Sequence, residues 1–410
     1  MAEQWYYLAN QETKGPVEFE ALKQLAASGV IARETLVWKE GLAAWTAASA
    51  VSGLFTAAGA HAAAPPPPPS AVARAQPARG ILSNLGAKLS HASELPTVSG
   101  IPVGEILMGG LGKQTRAEDI EHVFAAGTAQ TTPAISEVAA TWPTPRVFWR
   151  VLAGAVGTYA LLRLGYQQFQ NPNFIPGMIV IGSFVVPFSV VVLLFELNTP
   201  RNVSVYQVGK LILFGGALSL ILTSVLFQVL PGSGVGDLIP AMLTGVIEET
   251  GKALALLIMV RSMRYPYQLN GVLFGAAVGA GFAGFESAGY AFNSETVQDV
   301  FESIWMRGIL APGGHVIWTA MVGSAIWRVK GNKPFGLAML FHRDVVRRWA
   351  IAVILHGIWD MDLVPKIIPW WVKLAILIVI GWYLVFAILK QSLGEVEEAQ
   401  AAAASPAAGG

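Results

Sequence analysis

Asp237 to Val260 reads DLIPAMLTGVIEETGKALALLIMV, an apolar run of membrane length whose middle carries Glu248, Glu249 and Lys252. On insertion scales an ionisable residue at bilayer depth costs about 2.5 to 3.5 kcal/mol, so such residues are rare there and usually serve a function. Glu248 and Lys252 are four residues apart and share a helix face, while Glu249 is turned from them by about 100°. Both acids cannot look at lipid, so this helix must be buried in a bundle. Three further apolar stretches are interrupted in the same way, by Phe285-Glu286-Ser287-Ala288-Gly289-Tyr290, by His315-Val316-Ile317-Trp318-Thr319 and by His356-Gly357-Ile358-Trp359-Asp360. Together the four clusters imply a polar site inside the membrane.

The composition agrees. Hydrophobic residues make up 54% of the 410, charged residues 13%, and mean hydropathy is +0.53, against about a quarter charged in an ordinary soluble domain. Net charge is +1, which leaves no bulk field for nucleic acid. Cysteine is absent, which excludes disulfides, a thiolate nucleophile and cysteine-based metal sites. Eight apolar spans are expected: Val147 to Gly165, Phe174 to Phe195, Tyr206 to Leu230, Asp237 to Val260, Gly271 to Phe292, Gly308 to Arg328, Arg348 to Val364 and Ile367 to Leu389. Most reach the roughly twenty residues that a bilayer core needs. Arg146, Arg150, Arg201, Arg261, Arg264, Lys330, Lys333, Arg343 and Arg347 fall on one side, and Arg163, Arg307 and Lys366 on the other. The positive-inside rule then places both termini in the cytoplasm. The fold class expected is mainly α, a polytopic membrane bundle of about eight helices behind a small α+β module.

That module covers residues 1–55. Trp5-Tyr6-Tyr7-Leu8 and Thr35-Leu36-Val37-Trp38 read as strands, with helical spacing across Val17 to Gly29 between them. Met1 is followed by no basic and then apolar leader, so no cleaved signal peptide is expected. Residues 56–145 read as a Pro/Ala-rich linker and juxtamembrane segment without a core of its own, including the polyproline run Pro65 to Pro69. Residues 146–392 form the membrane domain and 393–410 a disordered tail. Trp5-Tyr6-Tyr7, Gly15-Pro16-Val17, Thr35-Leu36-Val37-Trp38, Gly41 and Trp45 resemble the bacterial GYF-like domain over about fifty residues. That resemblance implies a proline-rich peptide as ligand, with Trp5, Tyr6 and Trp38 as the binding aromatics. Read from the residues alone, Trp5, Tyr7, Trp38 and Trp45 are the core of a very small domain.

From Asp237 to Asp362 the chain resembles the PrsW family of intramembrane proteases. The residues that carry the likeness are Glu248-Glu249-x-x-Lys252, Gly279-x-Gly281-Phe282 leading to Phe285-Glu286 and Tyr290, His315 with Thr319, and His356 with Trp359 and Asp360. One departure is Ser287, where many members have Asn after the glutamate. The resemblance implies an intramembrane endopeptidase of the bacterial cytoplasmic membrane, acting on membrane-anchored proteins such as anti-sigma factors. Glu248, Glu249, Lys252, Glu286, His315 and His356 are then the catalytic candidates. The residues suit that chemistry, since amide hydrolysis needs an activated water, a proton relay and oxyanion donors. Glu249 or Glu248 can be the base; His315 and His356 can stabilise the oxyanion or, with Glu286, bind zinc. No H-E-x-x-H helix is present. Gly234-Val235-Gly236-Asp237 spells the aspartyl-protease GxGD but stands at a span boundary. The reading from another class is a non-enzymatic receptor or scaffold that recruits a proline-rich partner through the N-terminal module.

Overall fold

The computed structural model describes residues 4–9, 12–27, 30–32, 35–42, 45–51, 53–54, 81–113, 115–139, 141–260, 265–362 and 369–404. Pro65 to Pro69, Arg261, Arg264 and Lys366 lie outside them. The chain falls into two units, residues 1–77 and 78–410.

In the first unit β1 (Gln4–Ala9), β2 (Glu12–Glu18), α1 (Phe19–Ala27), β3 (Leu36–Lys39) and β4 (Thr46–Ala47) follow in order, and the antiparallel sheet runs β2-β1-β3-β4. Strand alternation puts Trp5 inward with Leu22, Ile31, Val37 and Leu54, while Tyr6 pairs across the sheet with Trp38, their rings 6.0 Å apart. Burying a ring of indole size gives a domain this small much of its stability. Trp5 is only 3% exposed, so it belongs to the core and not to a peptide-binding surface; Tyr6 and Trp38 remain half-exposed. β2, which the sequence did not announce, lacks alternating large apolar residues and is held by its register with β1.

The second unit begins with α2 (Ile81–Ser93), α3 (Val103–Met108) and α4 (Ala117–Phe124). The expected coreless linker is therefore corrected for residues 81–145: Leu95, Ile106, Ala126 and Val138 are buried in the same core as the membrane helices. Tyr383 Oη donates to Gly86 O at 2.8 Å, and Arg343 and Arg347 reach Glu94 at 2.7 and 2.6 Å.

Among the described residues ten further α-helices follow: α5 (Val147–Phe169), α6 (Phe174–Leu197), α7 (Val205–Lys210) running through a π-helical turn into α8 (Gly216–Val229), α9 (Leu238–Met259), α10 (Gln268–Phe292), α11 (Val297–Leu310), α12 (His315–Lys330), α13 (Arg343–Asp360) and α14 (Trp370–Ala404). Among the described residues six segments are long and apolar enough to cross a membrane: α5, α6, Val205–Val229, α10, Val297–Lys330 and α14. The two other expected spans are α9 and α13, whose charges set them apart. The disordered tail expected from residue 393 is a correction too. α14 continues to Ala404 because Leu393 and Val396 are buried and Gln400 Nε2 donates to Ile135 O at 2.9 Å.

The centre of the bundle is α10. Along it Gly271, Gly275 and Gly279 lie against α12, so that a Cβ added at each would meet Gly323 O at 2.3 Å, Thr319 O at 2.2 Å and His315 O at 2.4 Å. Only hydrogen fits there, and the two backbones approach as closely as in small-residue membrane interfaces. α9 and α13 are drawn together likewise, since a Cβ on Gly245 would stand 2.8 Å from Val353 O. In the first turn of α10, Asn270 Nδ2 donates to Asn202 Oδ1 at 2.6 Å and Asn198 Oδ1 at 3.1 Å, so these buried amides satisfy one another. Glu196 does the same for the first turn of α5, accepting from the backbone N–H groups of Arg146, Val147 and Phe148.

Candidate active site

The two close helix pairs bring the four polar clusters to one place. α9 supplies Glu248, Glu249 and Lys252, α10 supplies Glu286, α12 begins with His315, and α13 supplies His356 and Asp360. Lys252 is wholly enclosed, and its ammonium uses all three donors: Nζ lies 2.7 Å from Glu249 Oε1, 3.3 Å from Glu248 Oε2 and 2.8 Å from His315 Nδ1. The Phe282 ring covers it, with the centroid at 4.2 Å.

These contacts fix the tautomer of His315. An ammonium only donates, so the Nδ1 facing Lys252 is the acceptor nitrogen and the proton sits on Nε2. That Nε2–H donates to Glu286 Oε2 at 3.1 Å. His356 is set differently, its Nδ1 3.0 Å from Glu249 Oε1, its Nε2 3.3 Å from Asp360 Oδ2, and the Trp318 indole stacked 4.7 Å from its centroid.

The two adjacent glutamates thus have different surroundings. Glu249 is enclosed and held by Lys252 and His356. Glu248 is slightly accessible, with Oε2 at 3.9 Å from His315 Nδ1 and 3.7 Å from His356 Nε2. A cavity of about 270 Å³ reaches the site, lined by His315, Trp318, Trp359, Asp360, Arg307 and Ser287 among others. The turn carrying Gly236 adjoins it, accepting from Asp362 N at 2.7 Å and donating to Asp360 O at 3.2 Å. Its GxGD spelling therefore has a structural explanation.

One donor atom each from Glu248, His315 and His356 lies within 4.8 Å of the others. Two imidazoles and a carboxylate are a set that catalytic zinc sites use. The other nitrogen of each ring meets a carboxylate, Glu286 for His315 and Glu249 for His356, which is the outer-shell pattern that orients metal-binding histidines. With both imidazoles neutral, as metal binding requires, Glu248, Glu249, Glu286 and Asp360 stand against Lys252 and Arg307 and leave two negative charges for a divalent cation to balance. The residues present fit a metal ion, provided that Lys252 turns away from His315 Nδ1. The carboxylate grouped with both imidazoles is Glu248, whereas Glu286, expected among the ligands, is engaged by Arg307 and His315 Nε2.

A family model described as PrsW family intramembrane metalloprotease matches residues 200–389, and one described as GYF domain 2 matches residues 5–54. The chain carries a PrsW-family domain and a GYF-type domain. Among curated proteins, "Protease PrsW" of Clostridioides difficile (strain 630) is 26% identical over 181 residues, which is 42% of this chain and 74% of that protein. No solved structure matches. All six catalytic candidates of the PrsW-family domain lie within one connected set of contacts. Sequence reasoning placed Asp360 in the fourth polar cluster but not among the catalytic candidates, and counted Arg307 only as a charge on the minority side; the signal for Arg307 was an arginine inside the apolar run Ile304-Trp305-Met306-Arg307-Gly308-Ile309-Leu310, just ahead of His315.

Proposed function

We propose that this protein is an intramembrane endopeptidase that hydrolyses peptide bonds of membrane-anchored proteins, anti-sigma-factor-like substrates among them. The observation that carries the reading is the convergence of Glu248, His315 and His356 beside a cavity, on a scaffold of close-packed membrane helices. Glu248 is the base: its Oε2 is the carboxylate oxygen that faces both imidazoles, and it takes a proton from the attacking water as oxygen adds to the scissile carbonyl. The same carboxyl returns that proton to the leaving amine, so the peptide and one water give an acid and an amine. Lys252 and Glu249 hold this arrangement in the apolar interior, and His356 faces the position where negative charge develops on the carbonyl oxygen. With zinc present, Glu248, His315 and His356 would hold it and the metal would supply Lewis acidity towards the water and the carbonyl; Glu248 is then a ligand, and the role of base passes to Glu249.

The site is that of a bacterial cytoplasmic-membrane protein with both termini in the cytoplasm. The GYF-type domain recruits a proline-rich peptide through Tyr6 and Trp38, the half-exposed cross-strand pair. The test compares Glu248→Gln and Glu249→Gln with the parent in cells, following the membrane proteome for an accumulating uncut substrate. Glu248→Gln should insert normally and lower cleavage by about 10² to 10⁴, the usual worth of a general base. Full cleavage by both variants would overturn the assignment. Purified protein stripped with a strong chelator should lose activity and regain it with zinc; activity at substoichiometric metal would instead leave His315 and His356 as proton carriers or oxyanion donors.

A further inference from the structure

The cavity wall holds a cation that the proposed chemistry does not use. Arg307 stands on α11 and sends its guanidinium across to α10, where Nη2 donates to Glu286 Oε2 at 2.5 Å and Nε donates to Ser287 Oγ at 2.9 Å. The same group lies over the Tyr290 ring, 4.3 Å from its centroid. Glu286 and Ser287 stand four and three positions before Tyr290, one turn away from it, so a single planar fork placed between them makes three contacts along the helix. A lysine ammonium could not make this grip, because it is a point charge without the fixed angle between Nε and Nη2.

The carboxylate oxygen that accepts from Arg307 is also the one that accepts from His315 Nε2, at 3.1 Å. Glu286 Oε2 is therefore placed by Arg307 and in turn places the imidazole. A second connection runs through the backbone. α11 leads through the short turn Ala311–Gly313 to Gly314 and then to His315 at the start of α12. Fixing α11 on α10 thus fixes the segment from which His315 emerges. The body of α11 is packed through Val300, Phe301 and Ile304, whereas towards its end Trp305, Met306 and Ile309 are exposed and Arg307 supplies the polar tie to α10. Ser287, at which the chain departs from the family pattern, is one of the two acceptors of this latch.

We infer that Arg307 is a positioning residue for the hydrolysis, holding Glu286 so that His315 keeps Nε2 protonated and Nδ1 directed at Glu248 and Lys252. It does not touch the reacting atoms; it acts through Glu286. This inference rests on the proposed endopeptidase reading for its kinetic consequence but not for its structural one, so the test has two arms.

The first arm needs no substrate. The chain has six histidines, few enough to follow by proton and nitrogen NMR of the full-length protein, histidine-labelled in lipid nanodiscs. The parent should give a downfield, slowly exchanging imidazole N–H that disappears in His315→Asn and Glu286→Gln. In Arg307→Met that proton should exchange fast or vanish, and in Arg307→Lys it should be partly restored. An unchanged proton in Arg307→Met overturns the inference whatever the protein's activity. Where Arg307→Met fails to insert, Arg307→Lys decides alone: an N–H identical to the parent's counts against the latch, and a weakened one supports it.

The second arm uses a fluorogenic reporter with one membrane span, reconstituted in the same lipid. Arg307→Met should lower kcat by about 10- to 100-fold, the usual cost of losing an outer-shell partner, with KM little changed. Combined with Glu286→Gln it should add almost nothing to the loss from Glu286→Gln alone, because both act through one path. Fully additive losses would show that Arg307 works elsewhere. A parent protein with no cleavage at all would count against the endopeptidase reading and leave the first arm to judge Arg307.

Discussion

At the scale of single residues, Lys252 holds the site together. Its three donors reach Glu248, Glu249 and His315, so two carboxylates stay side by side in an apolar interior at a tolerable cost. Removing one partner of a buried ion pair is expensive, about 3 to 5 kcal/mol, because the remaining charge is left uncompensated. Lys252→Met should therefore lower the thermal midpoint of the detergent-solubilised protein far more than Glu248→Gln, which removes a charge at the accessible edge of the cluster. Equal midpoints for the two variants would deny Lys252 that role. The pairing of Glu248 with Lys252 was legible, since four residues make one helix turn. Which glutamate faces the imidazoles was not: Glu248 and Glu249 differ by about 100° of rotation, and only the placement of α12 and α13 decides between them. Arg307 was hidden for a related reason, as its partners lie twenty and twenty-one positions earlier, on another helix.

Among the elements, α10 and α12 carry the burden of alignment. Gly275 faces Thr319 O across 2.2 Å from where a Cβ would stand, and Gly279 faces His315 O across 2.4 Å, so a methyl at either position must push the helices apart. Gly275→Ala should cost about 1 to 3 kcal/mol by overpacking, read as a lower thermal midpoint; an unchanged midpoint would mean that the pair can slide. The glycine stripe was readable from its spacing of four. The helices α2 and α3 were not, because their stability comes from contacts distant in sequence, such as Glu94 with Arg343 and Arg347; of the helices in residues 81–145 only α4 was marked by its own sequence, as a short helix from Ala117. A hydrogen bond from Arg347, with the nearby charges of Arg343, Arg347 and His91, holds the Glu94 carboxyl below its usual range against the opposing pull of burial. A depressed folded pKa stabilises above the unfolded value, about 4.3 for glutamate, and that contribution disappears as the pH falls through the lower, folded value. The protection factors of the α2 amides, which compare their exchange with that of an unfolded chain at the same pH, should accordingly fall in acid, and Glu94→Gln should show at neutral pH the protection that the parent shows in acid. Protection that is insensitive to both would remove Glu94 as the tie.

For the whole molecule the open number is how many helices cross the bilayer. Six qualify on length and apolarity among the described residues; α9 is set apart by Glu248, Glu249 and Lys252 of the site, and α13 by Arg343, Asp344, Arg347 and Arg348 in its first turns together with Asp360. The site charges of both helices face each other and not lipid, and the first-turn charges of α13 stand at its end. We expect both to cross, giving eight spans. Counting termini cannot decide this, since six and eight are both even and leave the two ends on one side. The absence of cysteine offers a direct route, because single cysteines can be introduced into a chain with no thiol background. Ser233→Cys precedes α9 and Ser262→Cys follows it; Asn332→Cys precedes α13 and Asp362→Cys follows it. With Arg146, Arg150, Arg201, Lys330, Lys333, Arg343 and Arg347 on the cytoplasmic side, a membrane-impermeant maleimide should label positions 233 and 362 in intact cells. Positions 262 and 332 should react only after permeabilisation. Labelling of 233 and 262 from the same side would take α9 out of the bilayer, and with it the premise that this site works at membrane depth.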